Sequence, residues 1–80
     1  MPLPLYGFLE GDTIGLLIVA DEHETVDSLS RKLQQAASIR VAPPANAQLL
    51  YRGDTLDPAI TVAAAGMKSL DRFDVVRSPR

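Results

Sequence analysis

Two apolar runs separated by four turn-forming residues constrain the fold of this chain more than any other feature. The first run covers residues 3–9 and the second covers residues 14–20, with Glu10-Gly11-Asp12-Thr13 between them. Apolar runs of this length joined by a short polar segment predict a β-hairpin. Because proline has no backbone N–H, Pro2 and Pro4 are expected to confine the start of the first strand to an edge or an end of the sheet.

The segment that follows the hairpin predicts an α-helix over residues 26–37. Val26, Leu29 and Leu33 recur at the spacing that places them on one helical face. Thr25 precedes them as a candidate N-cap, because its hydroxyl can accept a bond from an unpaired backbone N–H. Asp27 lies in the first turn, where the helix dipole favours a negative charge.

The second half of the chain predicts shorter elements. Pro43 and Pro44 cannot continue a helix, so the chain must leave it in an extended connection. The remaining predicted elements are a strand over residues 48–52, the turn Gly53-Asp54, a brief helical turn over residues 62–65 between Thr61 and Gly66, a last strand over residues 72–77 and a frayed tail over residues 78–80. This order indicates an α+β fold, with one main helix packed on one face of a mixed sheet of four or five strands. We expect residues 1–80 to form a single domain, because a chain of this length supports one small core.

Composition excludes several classes of protein. The 80 residues include no Cys and one His, and their formal net charge is -2. Disulfides, thiolate catalysis, sulfur-ligated metals and histidine clusters around zinc are thereby excluded, and a nucleic-acid partner, which requires a basic face, is not expected. The longest apolar run, residues 14–20, is too short to cross a bilayer, and the N-terminal residues lack the pattern of a signal peptide. We therefore expect no membrane partner and a cytoplasmic location.

The one histidine raises the question of acid–base catalysis. His23 lies between Glu22 and Glu24, so a carboxylate could orient the ring as a general base. Acidic residues are common just before a helix for electrostatic reasons, which favours a solvated loop histidine instead.

Two further pairs of polar residues could carry chemistry. Ser28 and Ser30 lie close together on the predicted helix, but this proximity alone does not orient a nucleophile toward a base. Asp71 and Asp74 could bind a hard cation, yet no loop offers the roughly six to eight oxygens that Ca²⁺ takes. We expect no catalytic, cofactor-binding or metal-binding residue in this chain.

The middle of the chain resembles ubiquitin. The stretch Ala42-Pro43-Pro44 looks like the proline corner of ubiquitin, and Gln48-Leu49-Leu50-Tyr51-Arg52-Gly53 looks like its third strand and glycine turn. With the hairpin and the Thr25-led helix, this resemblance to the ubiquitin-like β-grasp fold covers nearly the whole chain. The last residues, Arg77-Ser78-Pro79-Arg80, differ from the terminal Gly-Gly of ubiquitin, so covalent conjugation through the C-terminus is not expected.

Several motifs carry a narrower resemblance. They are Pro4, Phe8 with Glu10, the run 14–20 followed by Asp21, Arg40-Val41-Ala42-Pro43, Thr61-Val62-Ala63 with Gly66-Met67, and Asp74-Val75-Val76. This set is similar to the toluene-4-monooxygenase system protein B family, the small ubiquitin-like subunit of bacterial multicomponent diiron monooxygenases.

The narrower resemblance implies a non-catalytic small subunit that docks on the large oxygenase subunit of a hydroxylase complex. Such complexes hydroxylate toluene, other aromatic hydrocarbons or alkenes. The resemblance assigns the diiron centre to the large subunit and implies no cofactor in this chain. Two alternatives remain open. One is a free ubiquitin-like adaptor, such as an accessory protein of type VII secretion, and the other is a stand-alone enzyme, which the missing acid–base and metal constellations disfavour.

The hairpin is apolar on both faces, which predicts a partner surface. If its turn centres on Gly11-Asp12, the face toward the helix carries Leu3, Leu5, Leu9, Ile14, Leu16 and Ile18. A sheet with one face in water normally alternates apolar and polar residues, so an opposite face with nothing polar on it indicates an interface. By analogy with ubiquitin, residues of the third and last strands extend this face. The candidate partner-binding residues are Tyr6, Phe8, Leu17, Val19, Leu50 and Val76.

Overall fold

One helix packs on one face of a five-stranded mixed sheet in the computed structural model, which describes residues 2–42 and 46–78. The strands are β1 (Pro2–Leu9), β2 (Leu16–Asp21), β3 (Ala47–Tyr51), β4 (Asp54–Thr55) and β5 (Arg72–Arg77), and the helix is α1 (Val26–Ala36). The sheet order is β2-β1-β5-β3-β4, with β1 and β5 parallel and the other neighbours antiparallel. The predicted α+β fold is confirmed. The predicted corner at Pro43-Pro44 and the last two residues of the predicted tail lie outside the described residues.

The two prolines of β1 lie where the strand needs no N–H. β5 pairs with β1 only over residues 6–9, so the first residues of β1 extend beyond it. The carbonyl of Pro4 accepts a bond from the N–H of Leu70 at 2.7 Å. Pro4 therefore directs its backbone toward the β5 side, and its missing N–H removes no bond from the ladder between β1 and β2. The predicted position of the prolines at an end of the sheet is confirmed.

The helix begins and ends close to its predicted bounds. The hydroxyl of Thr25 accepts the N–H of Ser28 at 3.1 Å, as expected of an N-cap, and Ala37 is the C-cap residue. The buried residues of α1 are Val26, Leu29, Ser30 and Leu33, which confirms the predicted apolar face. Over the described ranges, 2–42 and 46–78, no helix is long and apolar enough to cross a membrane.

The helix and the inner face of the sheet enclose one core. Its largest fully buried side chains are Phe73, Leu5, Leu29, Leu33, Val26, Val62 and Val75. Gly7 of β1 lies among them, and a Cβ atom at this position would be 2.7 Å from Cζ of Phe73 and 2.9 Å from Cδ1 of Leu33. The missing side chain of Gly7 therefore allows β1 and the core side chains to approach closely.

The second strand begins at residue 16 and not at residue 14 as predicted. The prediction that Ile14 faces the helix is wrong, because Ile14 precedes β2 and is 47% exposed. The carboxylate of Asp12 accepts the N–H of Thr13 at 2.8 Å and Nη2 of Arg40 at 2.8 Å. These bonds hold the connection as a loop that is longer than the predicted turn. The hydrogen bond from Arg40 also lowers the pKa of Asp12 below its usual value.

The turn after β3 lies one residue earlier than predicted. Arg52 and Gly53 have positive φ angles of 55° and 84°, the pair of conformations that a two-residue type I′ hairpin turn requires. Asp54, predicted as the second turn residue, is the first residue of β4. The predicted turn that begins at Thr61 is confirmed, because its hydroxyl accepts the N–H of Ala64 at 3.1 Å.

Candidate functional site

All six candidate partner-binding residues lie on the face of the sheet that points away from α1, called the outer face below. On this face Tyr6 lies opposite Leu17, and Pro4 lies opposite Val19. Tyr6 is 43% exposed, and Leu17 and Val19 are each 56% exposed. Tyr6, Leu17 and Val19 together form an exposed apolar surface on β1 and β2, called the hairpin patch. Their exposure agrees with the sequence, and their role in binding stays a prediction.

Phe8 is only partly exposed because two groups cover its ring. A Cβ atom at Gly15 would be 2.5 Å from Cζ of Phe8, so the ring lies directly over this glycine. From another side, Cζ of Arg72 is 4.1 Å from the ring centroid, which is within the range of a cation–π interaction. Phe8 therefore borders the hairpin patch without being fully open to a partner.

A charged pair crosses the middle of the outer face. Nη2 of Arg72 lies 3.1 Å from Oδ1 of Asp74, and the strand register puts Arg72 beside Tyr6 and Asp74 beside Leu50. The prediction that this face carries nothing polar is therefore wrong. The sequence holds the signal for this pair, because the alternation that directs Val76 outward also directs Asp74 and Arg72 outward.

Leu50 and Val76 lie beyond the charged pair, on the side of β3. Both side chains are partly buried. Leu50 pairs with Asp74, and Val76 pairs with Gln48, so each has a polar neighbour on the same face. The outer face thus consists of an exposed apolar part, the hairpin patch, and a mixed part beside it.

His23 lies in solvent in the loop between β2 and α1. The His23 side chain is 85% exposed, and its Nε2 lies 3.8 Å from Oε1 of Glu22. Its backbone N–H donates to Oδ1 of Asp21 at 2.8 Å, which fixes the loop and leaves the ring in solvent. A general base must be held within hydrogen-bond reach of a substrate proton. The interpretation of His23 as a solvated loop residue is confirmed.

The side chain of Glu24, in the same loop, is held in place by several hydrogen bonds. Its side chain is 9% exposed and accepts bonds from the N–H of Asp21 at 3.0 Å, from Nζ of Lys32 at 2.9 Å and from the hydroxyl of Ser28. Burial raises the pKa of Glu24, but the bonds from Ser28 and Lys32 outweigh burial and hold this pKa below its usual value. Ser30 is buried on the helix, at 6% exposure. The hydroxyl of Ser28 donates to Glu24, whereas the hydroxyl of Ser30 accepts Nε2 of Gln34 at 3.0 Å.

Replacing Glu24 by glutamine is expected to lower the free energy of unfolding by about 1–2 kcal/mol at pH 7, because a charged acceptor of several bonds is lost. The folded-state pKa of Glu24 lies below its usual value. The contribution of this charge to the free energy of unfolding is therefore complete above the pKa of the unfolded state, and it is lost as the pH falls through the pKa of the folded state. Denaturant unfolding of both proteins at a series of pH values measures this difference.

The control for this experiment is Asp54→Asn, which neutralises an exposed carboxylate of β4. We expect the control to change the free energy of unfolding by less than about 0.5 kcal/mol at every pH. A Glu24→Gln deficit that stays constant from neutral to acidic pH would show that packing, and not charge, stabilises this loop.

Asp71 and Asp74 have different hydrogen-bond partners. Asp71 accepts the hydroxyl of Tyr51 and, at 3.0 Å, the N–H of Lys68. The bond from Tyr51 lowers the pKa of Asp71 and raises the pKa of the tyrosine. Asp74 pairs with Arg72. In the part of the chain that the structure describes, no group of three or more His, Asp or Glu residues could hold a metal ion.

Comparison with known protein families assigns the chain to a family. The family model described as toluene-4-monooxygenase system protein B matches residues 2–76. The chain belongs to this family. The matched range includes both strands of the hairpin patch and all of α1. Membership of the toluene-4-monooxygenase system protein B family supports a small, non-catalytic subunit of a monooxygenase, as the resemblance in the sequence implied. No significant match is found among curated proteins.

Solved structures share the fold over nearly the whole chain. A chain of the toluene 4-monooxygenase HD complex with the inhibitor 4-bromobenzoate is 22% identical, and the alignment covers 98% of this chain and 100% of that chain with a TM-score of 0.90. Ubiquitin from Caldiarchaeum subterraneum is 17% identical, with coverage of 100% and 98% and a TM-score of 0.77. The ubiquitin-like domain of Plasmodium falciparum Dsk2 is 16% identical, with coverage of 98% and 100% and a TM-score of 0.74. These matches confirm the predicted ubiquitin-like β-grasp fold.

Proposed function

We propose that this chain is the small subunit of a cytoplasmic multicomponent diiron monooxygenase and that it docks on the large oxygenase subunit through the hairpin patch. In this proposal the diiron centre and the hydrocarbon site belong to the large subunit, and the substrates are aromatic hydrocarbons or alkenes. The observation that carries the proposal is a solvent-exposed apolar surface in a member of the toluene-4-monooxygenase system protein B family.

The hairpin patch has the chemistry of a docking surface. Tyr6, Leu17 and Val19 lie on two neighbouring strands with Tyr6 directly opposite Leu17, so their apolar surfaces are contiguous. Burial of such a surface contributes about 25 cal/mol per Å² of apolar area before the costs of association. Tyrosine is also frequent at interface centres, because it combines a large ring with a hydroxyl.

The charged pair beside the patch gives the docking an orientation. Arg72 is 64% exposed at its side chain, whereas Asp74 is 35% exposed. A partner that approaches the hairpin patch would therefore meet the guanidinium more readily than the carboxylate. A carboxylate on the oxygenase opposite Arg72 would fix the register without carrying most of the affinity.

Co-expression with the oxygenase subunits tests the proposal. We expect a tag on this chain to retain the large subunit through affinity purification and gel filtration, and we expect hydroxylase activity to fall when this chain is omitted. If the chain elutes alone and the hydroxylase keeps full activity without it, the proposal is wrong. That result would favour the free ubiquitin-like adaptor.

A further inference from the structure

A groove of about 580 Å³ lies between α1 and the first half of β3. Residues that line it include Ser30, Arg31, Gln34, Ala47, Leu49 and Pro58. β4 has two residues and pairs only with Leu50 and Tyr51. Within the described ranges, the first half of β3 therefore has no strand on the side of the groove.

Two hydrogen bonds show which backbone groups of β3 face this groove. The N–H of Ser78 donates to the carbonyl of Asn46 at 3.0 Å, so the backbone of Asn46 faces β5. The N–H of Leu56 donates to the carbonyl of Leu49 at 3.0 Å, so the backbone of Leu49 faces away from β5. Backbone direction alternates along a strand. The N–H and carbonyl of Ala47 must then face the groove, and so must the N–H of Leu49. Outside the strand ladders, no hydrogen bond from residues 2–42 and 46–78 reaches these three backbone groups.

The opposite edge of the sheet is partly covered by contrast. The carbonyl of Val19 in β2 accepts Nζ of Lys32 at 3.2 Å, and the N–H of Asp21 donates to Oε1 of Glu24 at 3.0 Å. A lysine over an edge strand is a common protection against the addition of another strand. Side chains of α1 and of the loop before it therefore cover part of this edge, whereas the edge at Ala47 is open.

We propose that the open edge at Ala47 accepts an extended segment of the large oxygenase subunit as an added strand antiparallel to β3. One residue of this segment exchanges two backbone hydrogen bonds with Ala47, in the manner of other strand-addition complexes. The groove has a helix on one side and the segment after β4 on the other, so it fits a single extended chain better than the edge of a folded sheet. The inference rests on the proposed function, which names the oxygenase as the partner.

The lining of the groove defines the chemistry of the added strand. Its residue opposite Ala47 shares the inner face and points toward α1, where Nε2 of Gln34 donates to the hydroxyl of Ser30 at 3.0 Å. Asp27 and Arg31 form an ion pair at 3.1 Å beside them, so the groove offers hydroxyl and amide groups and balanced charge. A small polar side chain, such as serine, threonine or asparagine, fits this position.

Hydrogen exchange of the intact complex tests the inference. In the free chain we expect the amides of Ala47 and Leu49 to exchange rapidly, and in the complex we expect their exchange to slow by about tenfold or more. The amide of Gln48 is the internal control, because Gln48 faces β5 and pairs with Val76 in both states.

Ala47→Pro removes one donor from the groove side without removing a bond to β5, and we expect it to weaken the complex about tenfold. Its matched control, Ala47→Ser, keeps the donor and should bind normally.

Each outcome decides between the two proposals. If the complex forms but the amides of Ala47 and Leu49 exchange as fast as in the free chain, strand addition is wrong and the proposed function stands. If no complex forms, the proposed function is wrong and strand addition to the oxygenase is wrong with it. If these amides are protected in the isolated chain at high concentration while gel filtration shows a dimer, the occupant is a second copy, which also overturns the inference. Because the wild-type exchange carries the decision, a misfolded Ala47→Pro variant does not affect it.

Discussion

Replacing Gly7 by valine is expected to lower the free energy of unfolding by about 3 kcal/mol, the upper part of the usual range for overpacking a core. A Cβ atom at Gly7 would be 2.7 Å from Cζ of Phe73, and Phe73 is 1% exposed, so its ring has no solvent-filled space into which it could move. An 80-residue domain is stable by about 4–12 kcal/mol in total. The variant would therefore lose a large share of its stability, which denaturant unfolding measures directly.

Gly15→Val is the matched control for this prediction. A Cβ atom at Gly15 would also contact a phenylalanine ring, at 2.5 Å from Cζ of Phe8. Phe8 lies partly exposed on the outer face, so its ring can rotate toward solvent, and we expect a loss of less than about 1 kcal/mol. Equal losses at both positions would show that the backbone, and not core packing, requires glycine. Adding Phe73→Leu to Gly7→Val should recover part of the loss if the two side chains collide.

The hairpin and the helix could be predicted from the sequence because their signals are local. Val26, Leu29 and Leu33 repeat with the period of the helix, and Thr25 lies at the one position where its hydroxyl can cap it. The close approach at Gly7 carries no such signal, because a single glycine in a strand is equally typical of a bulge or a weak position. Only the packing of Phe73 and Leu33 against β1 explains this glycine.

The loop before β2 could not be predicted because its cause is a contact between distant residues. Asp12 and Arg40 are 28 positions apart, and no periodicity connects them. Their hydrogen bonds hold the connection in a longer loop and leave Ile14 in solvent. The apolar run of residues 14–20 therefore begins before β2, which starts at Leu16.

The candidate site could be predicted in part. Alternation along β1 and β2 correctly directs Tyr6, Leu17 and Val19 outward. The same rule applied to β5 predicts Arg72 and Asp74 on this face. The contact between the guanidinium of Arg72 and the ring of Phe8 could not be predicted in this way, because it depends on the parallel pairing of β1 and β5. The open edge at Ala47 depends on the shortness of β4, whose two residues are too few to carry a periodic pattern in the sequence.

Replacing Leu17 by aspartate is expected to weaken binding to the large oxygenase subunit by about 100-fold or more. Leu17 is 56% exposed on the outer face and lies opposite Tyr6, so the proposed complex would bury a carboxylate among apolar groups, which is strongly unfavourable without a partner charge. The isolated variant should stay folded, because the loss of strand propensity costs about 1 kcal/mol or less. Titration of the large subunit with each purified variant measures the affinity, and thermal unfolding of the isolated chain checks the fold.

Ile39→Asp is the matched control, because Ile39 is also an exposed aliphatic residue, at 92% exposure, and lies outside the sheet after α1. We expect this control to bind as the wild type does. Unchanged binding of Leu17→Asp would show that the hairpin patch is not the docking surface. Weakened binding of Leu50→Asp in the same series would then assign docking to the mixed part of the outer face, where Leu50 pairs with Asp74. If Leu17→Asp and Ile39→Asp weaken binding equally, the loss reflects net charge and not a specific interface.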